Sequence, residues 1–299
     1  MVELSAISNK LDKEFNIKSY GSDSSFSRFV PNAFDSIEFD WKHNFEKEFT
    51  TLFNGLMIKG TPFVHKVFLA VFPTDEILER FISEGNEGDL LFMHHPIVME
   101  CGDPNGNWGR GFIPIKESYI RRIKEKKLSV YTCHIPMDLH MKLGPHIAMA
   151  NELNAEIEGT IEEYILICRV NKTDTNRFVS QVKEIFDIPY VDFEGQKRND
   201  IEKIAIVAGC GDKVEWMKQA QKQGAQAYLT GEIHCHIDNE YGKQRYAEMK
   251  EYAKETSMSL IGVSHAASEF ITHKTLMNDW FKHHFNLKTV IIPQEKWWV

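Results

Sequence analysis

His94-His95-Pro96 closes an apolar run, Leu90-Leu91-Phe92-Met93, that follows Gly88-Asp89. Adjacent side chains on a strand face opposite ways, so two neighbouring imidazoles cannot both enter one core. At a strand's end both rings can turn toward one cleft, and Pro96 keeps His95 extended and delays any helix. Such a pair suits two imidazoles that each bind a different metal ion. Taken alone it is only a hint, because doubled His also occurs in hydrogen-bonded loops.

His134-Ile135-Pro136-Met137-Asp138 sets a His and an Asp four residues apart. A helix beginning there projects both on one face, and Pro136 is tolerated in a first turn. His265-Ala266-Ala267-Ser268-Glu269 repeats the spacing, with small residues that let backbone come close. Imidazole nitrogen with carboxylate oxygen suits zinc, manganese, iron or nickel, and a carboxylate can bridge two ions. One such pair is ordinarily a helix-surface pair, and one strand-end His ordinarily a satisfied loop residue. Here His94, His95, His134, Glu232 and His265 all follow a predicted strand, on the edge where open α/β sheets bind ligands. His234-Cys235-His236 is a weaker case, fitting either metal ligation or the lining of a cleft, with Cys235 a small buried residue. His283-His284 reads as surface, and His43, His65, His140, His146 and His273 carry no comparable pattern. Gly209-Cys210-Gly211 fits an anion cradle or a plain tight turn and lacks the third Gly of a dinucleotide fingerprint. No G-x-S-x-G occurs, and no Cys has the setting of a nucleophile.

The elements that must position these groups alternate. Lys66 to Phe72 reads as a strand buried on both faces, then a helix capped by Thr74 runs to Gly85. Leu90 to Met93, a helix at 116–126, and Leu128 to Cys133 continue the rhythm. In the second half, the helix Val179 to Phe186 precedes the strand Lys203 to Ala208. The helix Val214 to Gln223, the strand Ala227 to Thr230, a helix near 244–256 and the strand Ser259 to Ser264 complete it. The alternation predicts two α/β lobes with mostly parallel sheets and a dinuclear metal site in the cleft between them. Residues 1–50 are expected to form an extension packed on the body, 51–155 the first lobe and 156–299 the second.

Composition bounds the rest. The chain has 299 residues, 42% hydrophobic, with net charge -8, enough for one large core or two moderate ones. The absence of a basic block disfavours a nucleic-acid partner, and Arg121 to Lys127, which includes Glu125, reads as the solvated face of a helix. No apolar run approaches the roughly 20 residues of a membrane span. The start lacks a secretory pattern, and five scattered Cys suit a reducing compartment, so a cytoplasmic location is expected.

With these residues in view, the chain resembles the NIF-three-like family, whose members carry the label GTP cyclohydrolase type 2 homologs. The likeness covers roughly residues 52–293. Its markers are Asn54-Gly55-Leu56 with Gly60, Asp89 through His94-His95-Pro96, and His134 to Asp138. They continue with Gly209-Cys210-Gly211, Thr230-Gly231-Glu232-Ile233 with His236, and His265 to Glu269. The resemblance implies two α/β domains around a dinuclear metal site and a toroidal homohexamer. Its ligands fall on His94, His95, Asp138, His265 and Glu269, with His134 close by. The chain departs from the family in a longer N-terminal extension and in three further places. Leu52-Phe53 lacks the acid that precedes the Asn, Ile135-Pro136-Met137 replaces polar residues, and an insertion occupies 101–111.

The expected function is a hydrolase with two divalent ions per chain that activate a bridging water. Two carboxylates and a hydroxide leave two divalent ions net positive, which favours a small anionic substrate, phosphorylated or nucleotide-like. Glu232 and His134 are assigned to catalysis, Glu232 either supporting the metal ligands or transferring protons. Trp108, Arg110 and His236 are assigned to substrate, with Trp108 stacking on a base and Arg110 clamping phosphate from a loop made mobile by its four Gly, or else the loop packs against a neighbouring subunit with Trp108 as its anchor. The alternative is a non-catalytic metal-binding or regulatory assembly protein.

Overall fold

The computed structural model describes residues 1–294. The chain forms two compact units, each discontinuous in sequence. The first gathers Met1–Met99, Phe112–His140 and His273–Gln294, the second Glu100–Gly111 and Met141–Thr272. The sequence reading instead places single cuts after 50 and 155. Residues 295–299, the end of the expected second lobe, lie outside the described residues.

The first unit is built on a five-stranded sheet in the order Lys288–Ile291, Lys66–Ala70, Leu90–Met93, Ser129–Thr132, Gly55–Ile58. The first four strands are mutually parallel and the last is antiparallel. Leu90–Met93 and Ser129–Thr132 are buried throughout, as strands covered on both faces must be. The crossover helix Asp75–Glu84 starts where Thr74 Oγ1 accepts the Ile77 N–H, carries Asp75 and Glu76 in its first turn, and buries Ile77, Leu78, Phe81 and Ile82. The next crossover helix, Glu117–Glu125, buries Ile120 and Ile123.

The N-terminal residues are more than an extension laid on this body. They form the helices Leu4–Glu14, Ile17–Tyr20, Phe26–Asp35, Trp41–Asn44 and Phe49–Leu52. Phe26, Val30, Phe34, Trp41, Phe45 and Phe49 share one core with Phe68, Phe81, Leu91 and Ile120. Burial of each such side chain contributes about 1.5–3 kcal/mol, so the segment is integral to the unit.

The second unit holds a six-stranded sheet in the order Asp192–Gly195, Ser259–Gly262, Ala227–Glu232, Ile201–Cys210, Ile165–Thr173, Glu156–Ile161. It is mixed, which corrects the expectation of mostly parallel sheets. Only the three central strands are parallel neighbours, and the other three pairings are antiparallel. Two of the antiparallel strands join in a hairpin that turns through Glu162 and Glu163, at φ 49° and 63°. Left-handed turns favour Gly, Asn or Asp, so a Glu-Glu pair gives no such signal. Helices Val214–Lys222 and Glu240–Glu255 supply Trp216, Met217 and Met249 to a core shared with Ile165, Ala205, Tyr228 and Leu260. Among the described residues no helix is long and apolar enough to cross a membrane.

Phe34 is fully buried, with the Phe39 and Phe45 ring centroids each 5.4 Å away. Phe34→Ala should destabilise the first unit by about 3–5 kcal/mol, read as a lowered urea midpoint. A change under about 0.5 kcal/mol would mean that the N-terminal helices are dispensable.

Candidate metal centre

In the first unit, two neighbouring parallel strands end side by side, Met93 opposite Thr132. The residues that leave the sheet there are His94, His95 and His134. His94 Nδ1 lies 2.7 Å from the Cys133 carbonyl oxygen. A carbonyl only accepts, so Nδ1 carries a proton, and in the neutral ring Nε2 presents a lone pair. That lone pair stands 3.1 Å from Asp138 Oδ1. Lone pair and carboxylate repel at this distance unless a cation or a proton lies between them. The His95 ring is 4.7 Å from His94 and 4.8 Å from His134, and the three residues bring ligand atoms within 4.8 Å of one another.

The short helix Ile135–Asp138, with Pro136 in its first turn, returns Asp138 to within 3.7 Å of His134 Nε2. The other nitrogen of His134, Nδ1, donates to Asp23 Oδ2 at 2.9 Å. Asp23 is buried and also accepts the N–H groups of Ser25, Phe26 and Ile135 and the Asn54 Nδ2 group. Burial alone would raise its pKa. The His134 ring and the backbone donors outweigh that and hold the carboxyl far below the usual carboxylate range. Asn54 Oδ1 in turn accepts the His134 backbone N–H at 2.7 Å. Phe26 packs edge-on against His95 and His134, at 5.5 and 4.5 Å. Sequence reasoning missed Asp23 and Phe26, although both wall this cluster.

In the second unit, the helix His265–Thr272 follows the strand Ser259–Gly262. Its entry residue Ser264 sits at φ 81°, a strained conformation for a side chain, and accepts the Ser268 N–H on its carbonyl. His265 Nε2 is 2.9 Å from Glu269 Oε1, one turn on, as the spacing predicts. His265 Nδ1 is 3.6 Å from Glu232 Oε2 and 3.6 Å from Cys101 Sγ. Burial lowers the proton affinity of His265, but Glu269 and Glu232 outweigh it and raise its pKa well above the ordinary imidazole value. Cys101 was not expected here. Burial first, and Glu232 second, keep it a neutral thiol.

Gly209 explains how the pair is approached so closely. A Cβ there would lie 2.5 Å from Glu269 Oε1 and 3.1 Å from His265 Nε2, and the residue has φ 63°. The N–H of Gly209 is spent on Ser268 Oγ and that of Gly211 on Thr230 Oγ1. The Gly-Cys-Gly stretch is therefore a close-packing device, and the anion-cradle reading is set aside for those two N–H groups.

The insertion at 101–111 is a hairpin of strands Val98–Gly102 and Trp108–Ile113, where the sequence suggested a mobile loop. Gly109 donates to the His236 carbonyl at 2.7 Å and accepts from the Asp238 N–H at 2.8 Å. A Cβ at Gly102 would meet Gly109 N at 2.5 Å, and one at Gly109 would meet Glu100 O at 2.0 Å. These glycines serve backbone contact. Trp108 and His236 come together, their rings 5.6 Å apart, whereas Arg110 is exposed and ion-paired with Glu100 at 2.7 Å. His283 and His284 are exposed as expected, and Cys235 is buried.

These clusters can be set beside known proteins. The family described as Duf34/NIF3 (NGG1p interacting factor 3) matches residues 44–296. The chain belongs to that family. Relatives named "GTP cyclohydrolase 1 type 2 homolog" include one from Buchnera aphidicola subsp. Acyrthosiphon pisum, 26% identical over 238 residues, with 79% of this chain and 87% of that protein covered. Another, from Pyrococcus abyssi, is 26% identical over 249 residues, covering 80% and 88%. The solved structure of ybgI, a structural-genomics protein of unknown function, shares the fold with TM-score 0.72 at 17% identity, over 99% of this chain and all of that one. Buried His, Glu and Cys groups of the present family member thus include sets able to hold metal ions.

Asp23→Asn should cost about 2–4 kcal/mol at pH 7, because it replaces a buried carboxylate that accepts from the His134 ring and three backbone N–H groups. The native carboxyl is depressed, so its contribution is complete above the unfolded value near 3.9 and is lost as pH falls toward the folded value. Denaturation of both proteins at pH 7 and pH 3 checks this; a gap that widens on acidification would refute it. Gly209→Ala should cost at least ~1–2 kcal/mol from its left-handed backbone, and more because the new Cβ meets the His265–Glu269 pair, read as a lowered urea midpoint. An unchanged midpoint would show that the pair has room to spare.

Proposed function

We propose that the protein is a divalent-metal-dependent hydrolase acting on a phosphorylated or nucleotide-like small molecule. His94, His95 and Asp138 of the first unit and His265 and Glu269 of the second are its metal ligands, for two ions per chain of zinc, manganese, iron or nickel. The observation that carries this reading is the His94 ring. Its Nδ1 proton is committed to the Cys133 carbonyl and its Nε2 faces Asp138 Oδ1, an arrangement satisfied by a proton or a metal ion between them and suited to metal ligation by the neutral ring. The donor set fits borderline transition ions, and the two oxygens of Asp138 face two different imidazoles, His94 and His134.

Bound there, two divalent ions supply Lewis acidity and lower the pKa of coordinated water. The remaining work falls to side chains. His134, held by Asp23, and Glu232, beside His265, would take or give protons in this reading. Trp108, 37% exposed, offers a stacking face for a base. Arg110 would have to leave Glu100 to reach a phosphate. The name shared by the relatives supports a nucleotide over other anions. A homohexamer belongs to the same proposal.

Elemental analysis of protein purified without chelator and reloaded with each metal should give two ions per chain at these ligands. Asp138→Ala should lose more metal than any single His variant, because both its oxygens are engaged. Metal-loaded protein should turn over at least one member of a panel of nucleotides and phosphoesters. Stoichiometric metal without any turnover would instead favour a non-catalytic metal-binding protein, and no bound metal would refute the reading altogether.

A further inference from the structure

A second group of ligating side chains lies in the second unit, apart from those assigned above. Asp192 opens the edge strand Asp192–Gly195, paired antiparallel with Ser259–Gly262. His234 and His236 follow the strand Ala227–Glu232. His234 and His236 are 3% and 8% exposed, with ring centroids 4.3 Å apart. Asp192, His234 and His236 offer ligand atoms that all lie within 4.8 Å of one another.

The contact between Asp192 and His234 is the decisive one. Asp192 Oδ2 stands 3.5 Å from His234 Nδ1, and that nitrogen has no hydrogen-bond partner. A buried polar atom left this way is costly unless something else answers it. Around a tetrahedral ion with bonds of about 2.0–2.1 Å, donor atoms sit about 3.3 Å apart. The observed separation is close to that spacing. On the ring's far side, Glu194 Oε1 stands 3.6 Å from His234 Nε2, where a carboxylate orients a ligating imidazole. Glu194 is itself ion-paired with Lys250. Tyr246 covers the two imidazoles at 4.6 and 5.4 Å, and Trp108 flanks His236 at 5.6 Å.

We propose that Asp192, His234 and His236 form a separate metal site of two imidazoles and one carboxylate, taking one borderline divalent ion such as zinc, cobalt or nickel. His236 then serves as a ligand, in place of the substrate contact that its sequence position suggests. This goes beyond the proposed hydrolase and does not depend on it.

The test uses the full chain, stripped with chelator, reloaded with zinc, desalted and analysed for metal. His234→Gln and Asp192→Asn should each bind one ion per chain fewer than the wild type. The readout is that difference. If the His94 and His265 ligands hold no metal, the wild-type count falls but the difference of one persists. Equal counts in wild type and both variants overturn the site. Should His234→Gln fail to fold, the near-isosteric Asp192→Asn carries the test. A further check is titration of stripped wild type with cobalt, following tryptophan emission. A quenching phase should saturate near one equivalent and vanish in Trp108→Phe, whose indole flanks the site; identical quenching in both proteins counts against it.

Discussion

Ionisable groups placed at the ends of buried parallel strands cost several kcal/mol each unless an opposite charge or a hydrogen bond answers them. That constraint accounts for most of the local architecture around the two main clusters. His94 is answered by a backbone carbonyl, His134 by Asp23, and His265 by two carboxylates. Asp23 in turn takes three backbone N–H groups and the Asn54 amide. The side chains that look like ligands are thus held by a surrounding set of partners, and the folding of the N-terminal segment is tied to it through Asp23 and Phe26.

This also gives meaning to a departure from the family pattern. The sequence lacks an acid immediately before Asn54, where Leu52-Phe53 stands. In the folded chain Asn54 nevertheless touches a carboxylate, that of Asp23, supplied from 31 residues upstream. The N-terminal helices contribute a charge to the cluster as well as apolar bulk to the core. The second unit solves its own problem differently. There Gly209 removes a side chain so that the His265–Glu269 pair can lie against the sheet, and Ser268 stitches the helix to the same strand.

What could be read from the sequence followed from periodicity and short-range spacing. Continuous apolar runs revealed the buried strands at 66–70, 90–93, 129–132, 227–232 and 259–262, and an i to i+4 spacing paired His265 with Glu269. What escaped depends on distance along the chain or on weak local signals. Asp23 meets His134 across 111 residues, and nothing near it in sequence marks it. Cys101 reaches His265 across 164 residues. Asp192 sits on a four-residue edge strand with no alternating pattern. The hairpin at 98–113 shows in the sequence as a run of glycines, which reads as mobility because a glycine needed for close backbone contact looks the same in sequence as one in a flexible loop. The division of the chain was hidden for a similar reason, since each unit borrows segments from either side of the other.

The strand Lys288–Ile291 pairs in parallel with Lys66–Ala70 at the edge of the first sheet. These partners leave the ribosome more than two hundred residues apart. At typical synthesis rates of about 5–20 residues per second, the edge of Lys66–Ala70 waits on the order of ten seconds or more for its neighbour. During that interval an apolar strand with open backbone donors and acceptors is available to other chains, which is the situation that invites aggregation. Any C-terminal truncation reaching into 288–291 would make that exposure permanent. The yield of folded protein in a cell should therefore depend more on how the nascent chain is shielded than on the stability of the finished molecule.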